Sequence, residues 1–248
     1  MSAETYHASF FWPDRSESLN QCAQRAAAFF RLLESCDPCF ARWVKPRTTH
    51  KRTGAEFEPT FDSLYNVLKD TRIRGDKDHS AMEDMGYGIW LWNGKSGDAT
   101  ARVNITCGAH PCIPTVGLPV ANRCVIELPA SGVTGERILQ PEALLHIISA
   151  IVGSWDADWG RIASDDIYAL MTGEDQADIV GWFNFLSDRY VLPPRLPPEY
   201  DVKHVGNGNV IAITTVERFS ALNETHVKLV RELLVLLREA GTLTPKAR

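Results

Sequence analysis

The chain has 248 residues, of which 44% are hydrophobic and 23% charged, and a net charge of −5. That apolar share is enough for a core that folds unaided, and it excludes a disordered or low-complexity chain. The acidic balance, with a single short basic stretch from Arg42 to Arg52, argues against direct nucleic-acid binding.

In chain order, Tyr6 to Trp12 is aromatic-rich and extended, a first strand closed by Pro13. Ser16 reads as an N-cap, and Leu19, Cys22, Ala23, Ala26, Phe30 and Leu33 recur at helical spacing until Pro38. Phe40 to Val44 reads as a short strand, and Thr60 caps a second helix carrying Phe61, Leu64, Val67 and Leu68. Arg72 to Asp84 is a charged loop. Three strands follow, Gly86 to Trp92, Ala101 to Cys107 and Arg123 to Leu128, and alternation such as Arg102-Val103-Asn104-Ile105-Thr106 predicts an antiparallel meander. Pro141 opens a helix through Leu144, Ile148 and Val152 that ends near Gly153. A short extended stretch at Arg161 to Ala163, a short helix near Asp165 to Met171 and a strand near Val180 to Leu186 come next. Pro193, Pro194, Pro197 and Pro198 force an irregular connection before the β-branched strand Val210 to Val216. An amphipathic helix from Asn223 to Ala240 stops at Gly241. This succession predicts a single α+β domain over residues 1–248, a mostly antiparallel sheet flanked by helices.

Met1 to His7 holds neither a basic nor an apolar export region, and the apolar runs around Leu144 to Val152 and Leu229 to Leu237 are too short and too interrupted for a bilayer. A cytoplasmic protein without membrane attachment is the expectation. The six cysteines are then expected to stay reduced. Cys36-Asp37-Pro38-Cys39 has the spacing of zinc and redox sites, and Cys107, His110 and Cys112 are further possible ligands. Against that, Cys36 follows a helix, whereas a redox thiolate needs a helix N-terminus. Small buried hydrophobes, with no metal and no cofactor, are the expected role.

Five of the seven tryptophans fall in three glycine-rich stretches: Gly86 to Gly94, Trp155 to Gly160, and Gly181 to Phe185. Glycine beside such rings means that packing leaves no room for a side chain, so Trp90, Trp92, Gly94, Trp155, Trp159, Gly160 and Trp182 are expected scaffold residues. No nucleophile, phosphate loop or metal box accompanies them, and no catalytic residue is assigned. His7 and His146 lie beside no candidate nucleophile, and a histidine on an apolar face such as His146 is more often a hydrogen-bonded core residue than a base.

The charge is unevenly spread. Residues 154 to 201 carry ten acids against three bases, a net of −7, which leaves +2 for the rest of the chain. A solvated face is the simplest account of such a run. The alternative is a docking face for a basic partner, formed by Asp156, Asp158, Asp165, Asp166, Glu174, Asp175 and Asp178. A different class of function, a small-molecule enzyme or binding module, would use the Trp-lined turn around Asp156 and Asp158 as its site.

Taken together, Trp12-Pro13-Asp14-Arg15, Asp37-Pro38-Cys39-Phe40-Ala41-Arg42-Trp43, Gly88-Ile89-Trp90-Leu91-Trp92-Asn93-Gly94, Trp155-Asp156-Ala157-Asp158-Trp159-Gly160 and Gly181-Trp182 resemble the bacterial immunity protein 52 family. The resemblance covers most of the chain. It implies a non-enzymatic antitoxin that binds and neutralises a toxin in the producing cell. The associated toxins carry a restriction-endonuclease-like nuclease domain, delivered in some bacteria by the type VI secretion system. A nuclease presents a basic cleft for DNA, which an acidic face can occupy.

Overall fold

Side-chain alternation in β1 (Tyr6–Trp12) lays down the core: Tyr6, Ala8, Phe10 and Trp12 are buried on one face, while His7, Ser9 and Phe11 are half-exposed on the other. The computed structural model describes residues 4–45, 54–71, 85–110, 122–171 and 180–243. The predicted loop from Arg72 to Asp84 lies outside them, as do Cys112, Glu174, Asp175 and Asp178. Beyond β1, the strands are β2 (Trp43–Lys45), β3 (Ala55–Phe57), β4 (Tyr87–Trp92), β5 (Arg102–Cys107), β6 (Asn122–Leu128), β7 (Trp159–Ser164), β8 (Phe183–Ser187), β9 (Tyr200–Val205) and β10 (Gly208–Ile213). They form one antiparallel sheet in the order β3-β2-β4-β5-β6-β1-β7-β8-β10-β9. The helices are α1 (Leu19–Cys36), α2 (Phe61–Asp70), α3 (Gly132–Ile138), α4 (Pro141–Trp155), α5 (Asp165–Met171) and α6 (Glu224–Glu239). The fold is α+β, as expected.

One face of the sheet is covered by α1, α2 and α4. α1 packs on both α2 and α4, α2 on β4, and α4 on β1. Rings knit these layers: Trp12 stacks on Trp155 of α4 with centroids 5.0 Å apart, and Trp155 lies 6.3 Å from Phe29 of α1. The second face is covered differently. Strand register places Tyr200 on the same face as Val202, Ile211, Asn184, Arg161 and Ser9. The Tyr200 hydroxyl donates 3.0 Å to the Leu229 carbonyl of α6, and Ile211, Asn184 and Leu186 are fully buried. α6 therefore lies over the β8, β10 and β9 half of this face.

Several boundaries differ from expectation for identifiable reasons. The N-cap of α1 is Ser18, which forms a reciprocal capping box with Gln21. Pro38–Phe40 is a 3-10 turn capped by Asp37, so the strand predicted from Phe40 begins only at Trp43. α4 runs past Gly153 because buried Trp155 anchors the last half turn. β9 arises directly from the proline-rich segment. As an edge strand exposing Asp201, Val202, Lys203 and His204, it lacks the apolar alternation that marks β5.

Candidate functional site

The Trp155-to-Gly160 turn assigns each residue its own task. Asp156 ends α4 in the left-handed conformation (φ 46°), which a short polar side chain tolerates. That geometry turns its carboxylate outward, where it is 56% exposed and sits 2.9 Å from Arg25 and 3.4 Å from Arg15. The same two arginines donate to the Ser154 and Trp155 carbonyls, satisfying the end of the helix. Ala157 is buried. Asp158 points inward: Ser187 Oγ donates to it at 2.9 Å and Arg189 at 2.8 Å, with the Tyr190 hydroxyl at 3.4 Å. Burial, then the Asp158 charge, pushes Tyr190 up to about 12. Trp159 stacks on Phe11 at 4.3 Å on the second face. A Cβ on Gly160 would meet the Phe10 ring at 2.3 Å, so only glycine fits there.

Asp158, expected at a partner-binding face, is 9% exposed and engaged by Arg189, so little of its carboxylate is open to a partner. A site using Asp156 and Asp158 together needs both carboxylates in one cleft, yet one faces solvent at a helix end and the other faces the protein. A groove of about 1130 Å³ lies elsewhere, between α5, α6 and the start of β9, and neither aspartate lines it. Asp165 and Asp166 occupy the opposite end of β7, about 20 Å along the strand from Asp158. Both are exposed, and Asp165 lies 3.2 Å from His7 Nε2.

The scaffold set also divides. Trp155 and Trp182 are buried, and Trp182 stacks on Phe219 with its indole N–H donating 3.2 Å to the Ile213 carbonyl. Gly94 takes a positive φ of 74° after β4, where Asn93 donates to the Ala99 carbonyl at 2.9 Å. Trp92 is half-exposed. Trp90 is not a core residue. It is 59% exposed, because Ile89 and Leu91 take the buried parity of β4 and leave Trp90 on the second face opposite Asn104.

The sequence profile described as Immunity protein 52 matches residues 4–246. The chain belongs to the immunity protein 52 family. Among curated proteins none matches. Among solved structures, the Pseudomonas aeruginosa T6SS protein PA0821 is similar in fold, with a TM-score of 0.50 at 11% identity over 84% of this chain. The match spans 64% of that protein's length.

In this immunity protein 52 family member Cys22, Cys39, Cys107 and Cys124 are buried, and Cys36 is half-buried. Cys36 closes α1, and burial, reinforced by Asp37, pushes its thiol up to about 11. Burial raises Cys39 and Cys124 as well, and Cys107 is raised by its contact with the Cys22 thiol and by burial. Burial acts to raise Asp37, between the CDPC thiols, but hydrogen bonds from Arg137 and the Cys39 amide together outweigh it and hold the carboxyl below its usual range. Among the described residues no three His, Cys, Asp or Glu side chains form a ligand set. Iodoacetamide at pH 7.5 is expected to leave Cys36 and Cys39 unmodified in the native protein over the time in which free glutathione reacts completely. Fast native-state labelling at either position would show a thiolate that this geometry does not provide. No single helix among the described residues is long and apolar enough to cross a membrane.

Proposed function

We propose that this protein is the immunity partner of a nuclease toxin, which it neutralises in the producing bacterium by direct contact and without catalysis of its own. The family match along residues 4–246 is the observation that carries this reading. The fold shared with a T6SS protein supports a toxin of the type VI secretion route. That the toxin is a nuclease rests on what the family resemblance implies.

The exposed carboxylates Asp165 and Asp166 at the start of α5 form the acidic edge that meets basic toxin surface. Rim charges of this kind act on encounter, so their effect falls with salt. Co-expression with the nuclease encoded beside its gene is expected to restore growth, and the purified pair is expected to form a one-to-one complex. Absence of both protection and binding removes the reading. Within the complex, reversing Asp165 and Asp166 to lysine should slow association by about threefold or more at low salt, with the difference vanishing at high salt. Stopped-flow rates at two ionic strengths measure this, and equal rates at both would leave these carboxylates as solvated surface.

A further inference from the structure

Among the described residues the second face of the sheet is only half covered. α6 lies over β8 to β9, and Tyr168 of α5 lies over Arg161 of β7 with the guanidinium 4.9 Å from the ring. Among the described residues no helix crosses the outward positions of β4, β5, β6 and β1. Those positions hold exposed Trp90, which has no ring partner among the described residues, half-exposed Trp92 and Val125, and Phe11 in its stack with Trp159. A single exposed ring is ordinary on a protein surface, but Trp90 shares its strand and face with half-exposed Trp92, and apolar groupings on a surface mark sites of contact.

The charge on this face runs against that of the protein. Outward positions from β4 to β7 carry Arg102, Arg123 and Arg161 against Glu127, a net of +2 in a chain of −5. Arg102 is held by Glu127 at 2.7 Å, and Arg161 is stacked on Tyr168. Exposed Arg123, between Thr106 and Phe11 on the neighbouring strands, has no acidic partner among the described residues. Five strands at about 4.8 Å spacing and six residues of length give a plane of about 20 by 20 Å. That is roughly half of the ~800 Å² per partner in a standard interface, and α5 with its exposed Tyr168, Asp165 and Asp166 extends it on one side.

Resting on the toxin-binding reading, we propose that this half-face, which no described helix covers, seats the toxin, with Trp90 and the Phe11–Trp159 stack against apolar toxin surface and Arg123 on a carboxylate of the toxin's cleft. A metal-dependent nuclease holds its cation with carboxylates inside a basic, phosphate-binding rim. An exposed arginine in the middle, with no acidic partner among the described residues, and aspartates at the edge are the complement of that pattern. Exposed Trp with Arg is also the composition of interface hot spots. Single-stranded nucleic acid fits less well, since on this face Arg102 is held by Glu127 and Arg161 is stacked on Tyr168, which leaves few cations for phosphates on an acidic protein. A second copy would set two faces of the same sign against each other.

The test titrates full-length wild type, Trp90→Ala and Arg123→Glu against the neighbour-encoded nuclease domain, kept inactive by chelating its metal so that its carboxylates remain. Wild type binds, and each variant raises Kd by about 30-fold or more, the loss expected when a hot spot is removed. Both variants keep the wild-type melting temperature, because both side chains are exposed. Variants that melt and bind like wild type overturn the surface assignment and leave the immunity function standing. Failure of wild type to bind overturns the function and this inference with it. A concentration-dependent dimer abolished by Trp90→Ala in sedimentation, or binding of a fluorescent oligo-dT abolished by Arg123→Glu, gives the face to another occupant and overturns the proposal.

Discussion

Truncating Trp155 to alanine is expected to destabilise the protein by about 3–5 kcal/mol, the range for deleting a large buried aromatic side chain. Trp155 is fully buried and lies parallel to Trp12 at 12° between ring planes, with Phe29 of α1 on its flank. Its loss opens a cavity where α1, α4 and β1 meet, in a close-packed core that collapses only partly around a void. A domain holds only about 5–15 kcal/mol in total, so the change takes a third or more of typical stability. For a chain of this length it lowers Tm by about 10 °C. The indole nitrogen has no hydrogen-bond partner among the described residues, so Trp155→Phe chiefly removes volume and should retain most of the stability. Urea unfolding with an unchanged slope measures both variants. A Trp155→Ala protein with the wild-type midpoint would mean that this ring is not a keystone of the core.

Replacing Asp158 by alanine is expected to cost about 3 kcal/mol or more, and replacing Asp156 by asparagine less than about 1 kcal/mol. The two carboxylates are two residues apart, and burial separates them. Removing Asp158 strands the Arg189 guanidinium, the Ser187 hydroxyl and the Tyr190 hydroxyl around a partly buried vacancy. It also loosens the tie between the start of β7 and the end of β8, where the Ser187 amide donates 2.9 Å to the Asp158 carbonyl. Asparagine at 156 keeps the left-handed backbone and gives up two solvent-screened ion pairs with Arg15 and Arg25. Thermal unfolding of the two variants at pH 7 separates them. Equal losses would contradict the inward placement of Asp158.

Local periodicity made much of this fold legible. The alternation of Arg102 to Thr106 became β5 with its exposed and buried residues in the expected phase, and the helical spacing after Leu19 became α1. The glycine at 160 was readable as a packing position, and a ring does occupy the space its side chain would need. β4 was not readable in the same way. Tyr87-Gly88-Ile89-Trp90-Leu91-Trp92 is apolar at both parities, so no rule of alternation says which set faces the core. Pairing with β5 decides it, placing Trp90 beside Asn104 on the second face. Nor does an Asp-x-Asp spacing reveal that a left-handed residue will rotate one carboxylate out and leave the other facing Arg189.

By itself, then, the sequence determined the α+β class, most helices and strands, and membership of the immunity protein 52 family, because these depend on spacing between near neighbours and on motifs such as Trp155 to Gly160. Tertiary structure alone decided that Asp158 is buried, that Trp90 is exposed, and that α6 covers the β8 to β9 half of the second face. Those outcomes depend on residues far apart in the chain, such as Asp158 with Arg189 or Tyr200 with Leu229. Burial is a property of the assembled sheet and of the helix that returns to cover it.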